Sequence, residues 1–172
     1  MQNKIRGAFP VCDERSCLTS FNDKEVHFHD PENSKCIILS ENDDIENLSN
    51  FKALNPNQKE IYFLCIDHCI YIASDPHKKC DFALFDNSLF CFVEIKDTLN
   101  TRQRGKASSQ LKSTIEKFRE VIDFTGYEIE AIISLKYRPM VPAARSTLQA
   151  AIFDFEDNLG VRLLEGNEKE FR

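Results

Sequence analysis

The strongest hydrophobic pattern lies near the middle of the chain, where two apolar runs flank a short polar segment. The first run covers residues 81–85 and the second covers residues 89–96, with Asp86-Asn87-Ser88 between them. Short apolar runs that are rich in phenylalanine and bounded by turn residues predict β-strands. We therefore expect two antiparallel strands, joined by a tight turn, at the centre of the fold.

The N-terminal region is predicted to form a β-hairpin after an irregular start. Residues 1–24 show no regular pattern of apolar positions. Two strand-like segments, 24–29 and 35–39, flank Asp30-Pro31-Glu32-Asn33, whose residue types favour a turn. The N-terminal hairpin is therefore expected over residues 24–39.

A helix and further strands are predicted between this hairpin and the central strands. Ser40 and the acidic residues after it are typical of a helix N-terminus, and apolar residues then recur every three positions as far as Leu54. We expect a helix over 40–54. Residues 60–73 contain alternating and continuous apolar segments, which predict strands.

The C-terminal half alternates helical and strand patterns. We expect a loop over 97–106, a helix over 108–124, a strand over 128–135, a helix over 146–158 and a short strand over 161–164, followed by a charged tail. This order indicates an α/β protein with a central mixed β-sheet flanked by helices.

Length and composition favour a soluble protein of one domain. The 172 residues are enough to bury a core and are expected to form one domain over 1–172. No apolar run is long enough to span a bilayer, and the N-terminus lacks the apolar segment of a signal peptide. We expect a cytoplasmic protein with no membrane partner.

The positive charge of the chain is concentrated in one segment. The formal net charge is -6, which argues against a protein that coats nucleic acid through a basic surface. Residues 96–119 nevertheless carry seven basic side chains against two acidic ones. This segment is either a solvated surface or a contact for phosphate groups, and we favour the second interpretation.

The seven cysteines are interpreted as buried free thiols. Their number is odd, and several lie in apolar, strand-like sequence, as Cys65 and Cys91 do. A disulfide framework is more typical of smaller secreted domains.

The turn between the central strands determines which side chains meet. If Asn87-Ser88 is a two-residue turn, Asp86 pairs with Leu89, and stepping back along both strands pairs Asp81 with Glu94. Lys96 lies two residues beyond Glu94 and therefore shares its face of the sheet. The same register follows from a four-residue loop, whereas a three-residue loop requires a bulge.

Two carboxylates and a lysine on one face are suited to metal-dependent hydrolysis. Asp81 and Glu94, with the main-chain carbonyl of Ile95, supply the oxygen ligands that Mg²⁺ prefers, and Mn²⁺ would fit the same site. Lys96 would orient a water molecule or stabilise negative charge on a phosphate. In the structural alternative, the hairpin lies at a sheet edge and its charged groups are solvated or paired with each other. The apolar character of both strands favours the site.

The Asp81…Glu94-x-Lys96 pattern resembles the PD-(D/E)xK (restriction-endonuclease-like) nuclease superfamily. The resemblance covers about residues 40–136, with Cys80 in the place of the proline. It implies an αβββαβ core, with 1–39 as an N-terminal hairpin extension and 137–172 as a C-terminal helix and strand. It also implies Mg²⁺-dependent hydrolysis of phosphodiester bonds, with Asp81, Glu94 and Lys96 as catalytic residues.

The resemblance implies further site residues. Some members take another metal ligand from the first helix, for which Glu46 or Glu41 is the candidate here. Members often place a glutamine on the helix after the third strand, and Gln110 is so placed, although it could equally be an exposed helix residue. The nucleic-acid contacts are expected from the basic segment, through Arg102, Arg104, Lys106 and Lys112.

The expected activity is that of a DNA endonuclease in host defence, such as antiviral defence, or in repair. Cutting both strands of a duplex would suit a homodimer, and a partner protein could instead supply sequence choice. The alternative is a non-catalytic module of the same fold that binds nucleic acid or a protein.

Overall fold

The computed structural model describes residues 1–72, 74–96, 101–135 and 145–172. The helices of this part are α1 Gln2–Ala8, α2 Val11–Glu14, α3 Ile45–Leu48, α4 Thr101–Val121 and α5 Arg145–Asp154, the last continued by a π-helical segment, Phe155–Leu159. The strands are β1 Leu18–Phe21, β2 Glu25–His29, β3 Ile37–Ile38, β4 Phe51–Leu54, β5 Ile61–Cys65, β6 Phe82–Phe85, β7 Leu89–Lys96, β8 Glu128–Leu135, β9 Arg162–Glu165 and β10 Glu168–Glu170. No helix of the described residues is long and apolar enough to cross a membrane.

The main sheet is mixed and has β6 and β7 at its centre. Its strand order is β1-β5-β6-β7-β8-β9. Strands β1, β5, β6 and β7 pair in antiparallel fashion, whereas β7, β8 and β9 are parallel. Every residue of β6, and all of β7 except its two ends, is buried, as expected for strands that are covered on both faces. The prediction of an α/β protein with a central mixed sheet is confirmed.

One face of the main sheet is covered by α4, which connects β7 to β8. Leu111 and Ile115 of this helix are fully buried against the sheet. The ring of Phe118 on this helix contacts Phe92 of β7 edge-on, with centroids 5.3 Å apart. Because side chains alternate along a strand, Glu94 and Lys96 project from the same face as Phe92.

The other face is covered by a second sheet, with strand order β10-β4-β2-β3. The rings of Phe28 and Phe51, from this second sheet, lie 5.2 and 5.7 Å from the ring of Phe82 in β6. Ser134 of β8 donates a hydrogen bond to the main-chain oxygen of Asn50, which precedes β4. The predicted N-terminal hairpin is confirmed, since β2 and β3 pair in antiparallel fashion.

The predicted helix over 40–54 is wrong. The helix is one turn long, with Asp44 rather than Ser40 as its N-cap, and Phe51–Leu54 forms β4 against β2. Phe51 and Leu54 satisfy a three-residue spacing, but Phe51 and Ala53 are the fully buried pair, and this two-residue period is that of a strand.

Other element boundaries also differ from the predictions. Residues 1–24 contain α1, α2 and β1 rather than an irregular segment, and the charged tail contains β10. Helix α4 begins at Thr101, inside the predicted loop over 97–106, of which 97–100 lies outside the described residues. Residues 66–72 contain an isolated bridge between Asp67 and Tyr71 instead of a strand.

The cysteines are not all free. Cys17 and Cys69 form a disulfide with their Cα atoms 5.6 Å apart, which corrects the prediction of seven free thiols. The remaining cysteines are free and buried: Cys12, Cys36, Cys65, Cys80 and Cys91. The two bonded residues are 52 positions apart, so only the packing of the loop after β5 against the start of β1 brings them together.

Candidate active site

The pairing of β6 with β7 has the register that the turn predicts. Phe82 is opposite Val93 and Phe85 is opposite Phe90. Beyond these pairs, the Asp86 main-chain N–H donates to the Leu89 oxygen, at 3.1 Å. Continuing one step in the other direction places Asp81 opposite Glu94.

Glu94 is completely buried, with 0% of its surface exposed. One carboxylate oxygen, Oε1, accepts a hydrogen bond from the Lys96 ammonium group. The other, Oε2, is buried and has no hydrogen-bond partner among the described residues. Burial raises the Glu94 pKa to about 8, although Lys96 opposes this shift.

Asp81 lies against the same strand with 8% of its surface exposed. Its Oδ2 accepts a hydrogen bond of 2.5 Å from the Ile95 main-chain N–H. Burial, and then the charge of Glu94, raise the Asp81 pKa well above its ordinary value. Burial by itself would lower the Lys96 pKa, but the adjacent Glu94 carboxylate raises it overall, so Lys96 remains charged.

Helix α4 holds the main chain immediately before Asp81. The Gln110 amide donates to the Lys79 oxygen at 2.9 Å, and the Cys80 N–H donates to the Thr114 hydroxyl at 2.8 Å. Gln110 is therefore not an exposed helix residue but a support for the segment that carries Asp81. Its amide oxygen is buried without a partner among the described residues.

A cavity of about 490 Å³ opens beside these residues. Asp81, Ile95 and Lys96 lie at its base, between a wall formed by the turn 30–34 and a wall formed by Asp67 and His68. The start of α4 completes it with Gln103 and Lys106. A larger hollow of about 790 Å³ lies at the opposite end of the sheet, away from both buried carboxylates.

The four basic candidates have different environments. Arg102 and Lys106 are exposed, and Lys106 lines the cavity. Arg104 is only 4% exposed, and its Nε donates to Glu165 at 2.6 Å, so it is not available as a surface contact for phosphate and this assignment is wrong. Lys112 is half-buried and pairs with Asp154 at 3.0 Å.

The acids that surround the site come from other segments than predicted. Glu46 and Glu41 are exposed near α3, and neither lines the cavity. Asp30 and Asp67 line it instead, and the charge of each contributes to raising the Glu94 pKa. In the sequence Asp30 is part of a predicted turn and Asp67 lies in a segment predicted to form strands, so no local pattern indicates that they reach the site.

The residues present are compatible with a Mg²⁺ ion. No group of three or more histidine, cysteine, aspartate or glutamate side chains in the described part of the chain is arranged to hold a metal directly. Mg²⁺, however, is usually bound through one or two carboxylates and keeps several waters. The unpartnered Glu94 oxygen beside Asp81 suits this mode of binding, and burial makes both carboxylates unfavourable as anions without a cation.

No protein-family model, curated protein or solved structure matches this chain. Its function is therefore inferred from the chemistry of the site and from the sequence pattern.

Proposed function

We propose that this chain is a Mg²⁺-dependent nuclease that hydrolyses phosphodiester bonds of nucleic acid. The observation that carries the proposal is the fully buried Glu94 carboxylate, which has one oxygen on Lys96 and one without a partner. An unsatisfied buried acceptor costs about 1–3 kcal/mol, and more for a charged group, so a purely structural role does not explain it. Binding of a cation would compensate that cost.

Asp81 and Glu94 would hold the ion, with the Ile95 carbonyl as a further oxygen ligand. Bound there, Mg²⁺ would polarise the scissile phosphate and lower the pKa of a coordinated water. The Ile95 N–H keeps the Asp81 carboxylate oriented through its hydrogen bond. Gln110 and Thr114 keep the preceding main chain in place.

Lys96 is the electrostatic partner of the reacting phosphate in this proposal. Its ammonium group contacts Glu94 and lines the cavity, so it reaches both the buried carboxylate and an incoming ligand. A charged donor in a site of low water content stabilises negative charge that develops on phosphate oxygens.

The surroundings of the site support a nucleic-acid substrate. Exposed Arg102 and Lys106 lie on the first turns of α4, and Lys106 lines the cavity. From β5 to β8 the chain runs strand, strand, strand, helix, strand, as in the superfamily core, although no helix over 40–54 precedes it. DNA cleaved internally, in host defence or repair, is the substrate and setting that the resemblance favours.

The test is cleavage by matched variants in Mg²⁺ or Mn²⁺. Supercoiled, linear and single-stranded DNA, and RNA, are incubated with the wild type, Lys96→Ala and Lys117→Ala. Lys117 is the control because it is also an ion-paired lysine, but it pairs with Glu120 near the C-terminal end of α4 and does not line the cavity. We expect the wild type and Lys117→Ala to cleave at least one substrate, EDTA to stop cleavage, and Lys96→Ala to be inactive.

Cleavage that Lys96→Ala retains in full, or no cleavage of any substrate by the wild type, would contradict the proposal. Binding of nucleic acid without cleavage would instead favour the non-catalytic module.

A further inference from the structure

A third acid is held beside the site by the second sheet. Asp30 follows β2, and its main-chain N–H donates a 2.8 Å hydrogen bond to the Asn50 side-chain oxygen. Asn50 is 7% exposed, and its main-chain oxygen accepts the hydrogen bond from Ser134 of β8. Asp30 is therefore tied, through one buried residue, to the strand next to β7.

Asp30 shares the cavity with Asp81 and Lys96. Its charge acts on all three buried groups of the site, since it contributes to the raised pKa values of Asp81, Glu94 and Lys96. The cavity is lined by four acids, Asp30, Glu32, Asp67 and Asp81, and by two lysines, Lys96 and Lys106, so its acidic side chains are in excess. A divalent cation is the ligand that this excess favours.

We propose that Asp30 is a positioning residue that orients the water molecules around a Mg²⁺ ion held by Asp81 and Glu94; the assignment rests on the proposed function. Direct coordination by all three acids does not fit, because no group of three such side chains in the described residues is arranged to hold a metal. Mg²⁺ retains several of its waters, and acids beyond the direct ligands fix such waters in place. The N-terminal hairpin is then part of the site and not an appendage.

Glu32 is the matched control for Asp30. It belongs to the same turn, carries the same charge and lines the same cavity, but its side chain is exposed. If Asp30 acts only through the overall negative charge of the cavity, neutralising either residue will have a similar effect. If Asp30 acts through its position, only its own substitution will matter.

The experiment measures Mn²⁺ binding by isothermal titration calorimetry, without nucleic acid, for the wild type, Asp30→Asn, Glu32→Gln and Glu94→Gln. We expect Asp30→Asn to raise the Kd for Mn²⁺ about 10- to 100-fold, as for other residues that support a metal centre. We expect Glu32→Gln to change it less than about threefold, because an exposed charge is strongly screened. Thermal unfolding in EDTA is measured alongside, so that the Kd values are compared only among variants that are folded at the temperature of the titration.

The outcomes separate this assignment from the proposed function. Absence of Mn²⁺ binding by the wild type, or equal binding by the wild type and Glu94→Gln, overturns both. Loss of binding in Glu94→Gln together with equal Kd values for Asp30→Asn and Glu32→Gln overturns the Asp30 assignment alone.

Discussion

Two buried aspartates flank strand β6, and the pKa values of their carboxylates are shifted in opposite directions. Asp86, after the strand, accepts hydrogen bonds from the Ser88 and Leu89 N–H groups, both at 2.8 Å. Although burial acts to raise its pKa, these bonds lower it below the ordinary value. Asp81, before the strand, accepts one main-chain bond and faces Glu94, and its pKa is raised.

Both residues are nearly inaccessible to solvent, at 8% and 6% exposed, but burial is the largest cause of the raised Asp81 pKa, whereas at Asp86 hydrogen bonds outweigh it. The number of donors and the sign of the neighbouring charge add to the difference, since Asp86 has more donors and lies near Lys59, whereas Asp81 faces Glu94. At the turn end of the β6–β7 hairpin the Asp86 carboxylate has several donors, whereas at the site end one oxygen of Glu94 has no partner among the described residues.

Two buried glutamates on adjacent strands show the same contrast. Glu130 of β8 has an ion-pair partner on each oxygen, Lys169 on Oε2 and Arg162 at 3.6 Å from Oε1. Glu94 of β7 has Lys96 on one oxygen and none among the described residues on the other. A carboxylate that has a partner on each oxygen stabilises the fold, whereas a carboxylate with one unpartnered oxygen is available to a ligand.

The largest expected effect is the difference in cleavage rate between variants of Asp81 and Asp86. If the proposed function holds, Asp81→Asn lowers the cleavage rate at least about 10³-fold, because it removes a negative metal ligand. Asp86→Ala should retain activity but lower the free energy of unfolding by about 1–3 kcal/mol, since two main-chain donors lose their acceptor. Cleavage assays and urea unfolding of both variants measure this. A loss of activity in Asp86→Ala at a temperature where it is folded would contradict the assignment of a functional role to Asp81 and a structural role to Asp86.

The second prediction concerns pH. The Glu94 pKa of about 8, against an ordinary 4.5, means that the folded chain binds this proton more tightly than the unfolded chain. The contribution of Glu94 to the free energy of unfolding is therefore complete below pH 4.5. It is lost as the pH rises through 8, by up to about 5 kcal/mol. Urea unfolding in EDTA at pH 5, 7 and 8.5 measures this fall.

Glu94→Gln is the control for the pH experiment, and it should reduce the fall, of which the remainder belongs to Asp81, whose pKa is also raised. Asp86 contributes in the opposite direction, because its lowered pKa gives stability that is lost only as the solution becomes more acidic than its ordinary value of 3.8. A wild type whose stability is constant from pH 5 to 8.5 would contradict the assignment of a raised Glu94 pKa.

The third prediction concerns the interactions that stabilise each end of the β6–β7 hairpin. The wall that contains Asp67 is tied to the start of β1 by the Cys17–Cys69 disulfide, whereas the turn end depends on hydrogen bonds. Loop closure over 52 residues predicts a loss of about 4 kcal/mol in the free energy of unfolding when the bond is removed. Unfolding of the wild type with and without dithiothreitol measures it. The Cys17→Ser/Cys69→Ser double variant should not respond to the reductant, and a wild type that is equally insensitive would show that the bond contributes nothing.

The smallest expected effect is a difference in nucleic-acid binding between variants at the two ends of α4. Lys106→Ala, at the cavity, should weaken nucleic-acid binding severalfold and reduce the magnitude of the salt-dependence slope by about 1, as for loss of one phosphate contact. Lys117→Ala, paired with Glu120 near the other end, should leave the slope unchanged. Binding at several salt concentrations decides this, and equal slopes for both variants would remove Lys106 from the interface.

The sequence predicted the centre of the fold better than its periphery. Strands β6, β7 and β8 are continuous apolar runs with clear turn signals, so their pattern has one interpretation. Segment 51–54 was ambiguous, because four residues with apolar ends fit either a helix turn or a strand. Pairing with β2 selected the strand. Helix α4 begins earlier than expected because Arg104 and Ala107 are buried in it, which their neighbours in sequence do not indicate.

Local sequence predicted that Asp81 faces Glu94 and that Lys96 shares their side, provided that the turn has two residues, and the pairing of Phe85 with Phe90 agrees with that register. Only the tertiary structure decided that Asp30 and Asp67 surround the cavity and that Arg104 is buried. Asp30 and Asp67 reach the cavity, and Arg104 reaches Glu165, only through the packing of distant segments. Such contacts depend on the burial of whole sheets, and no short-range pattern encodes them.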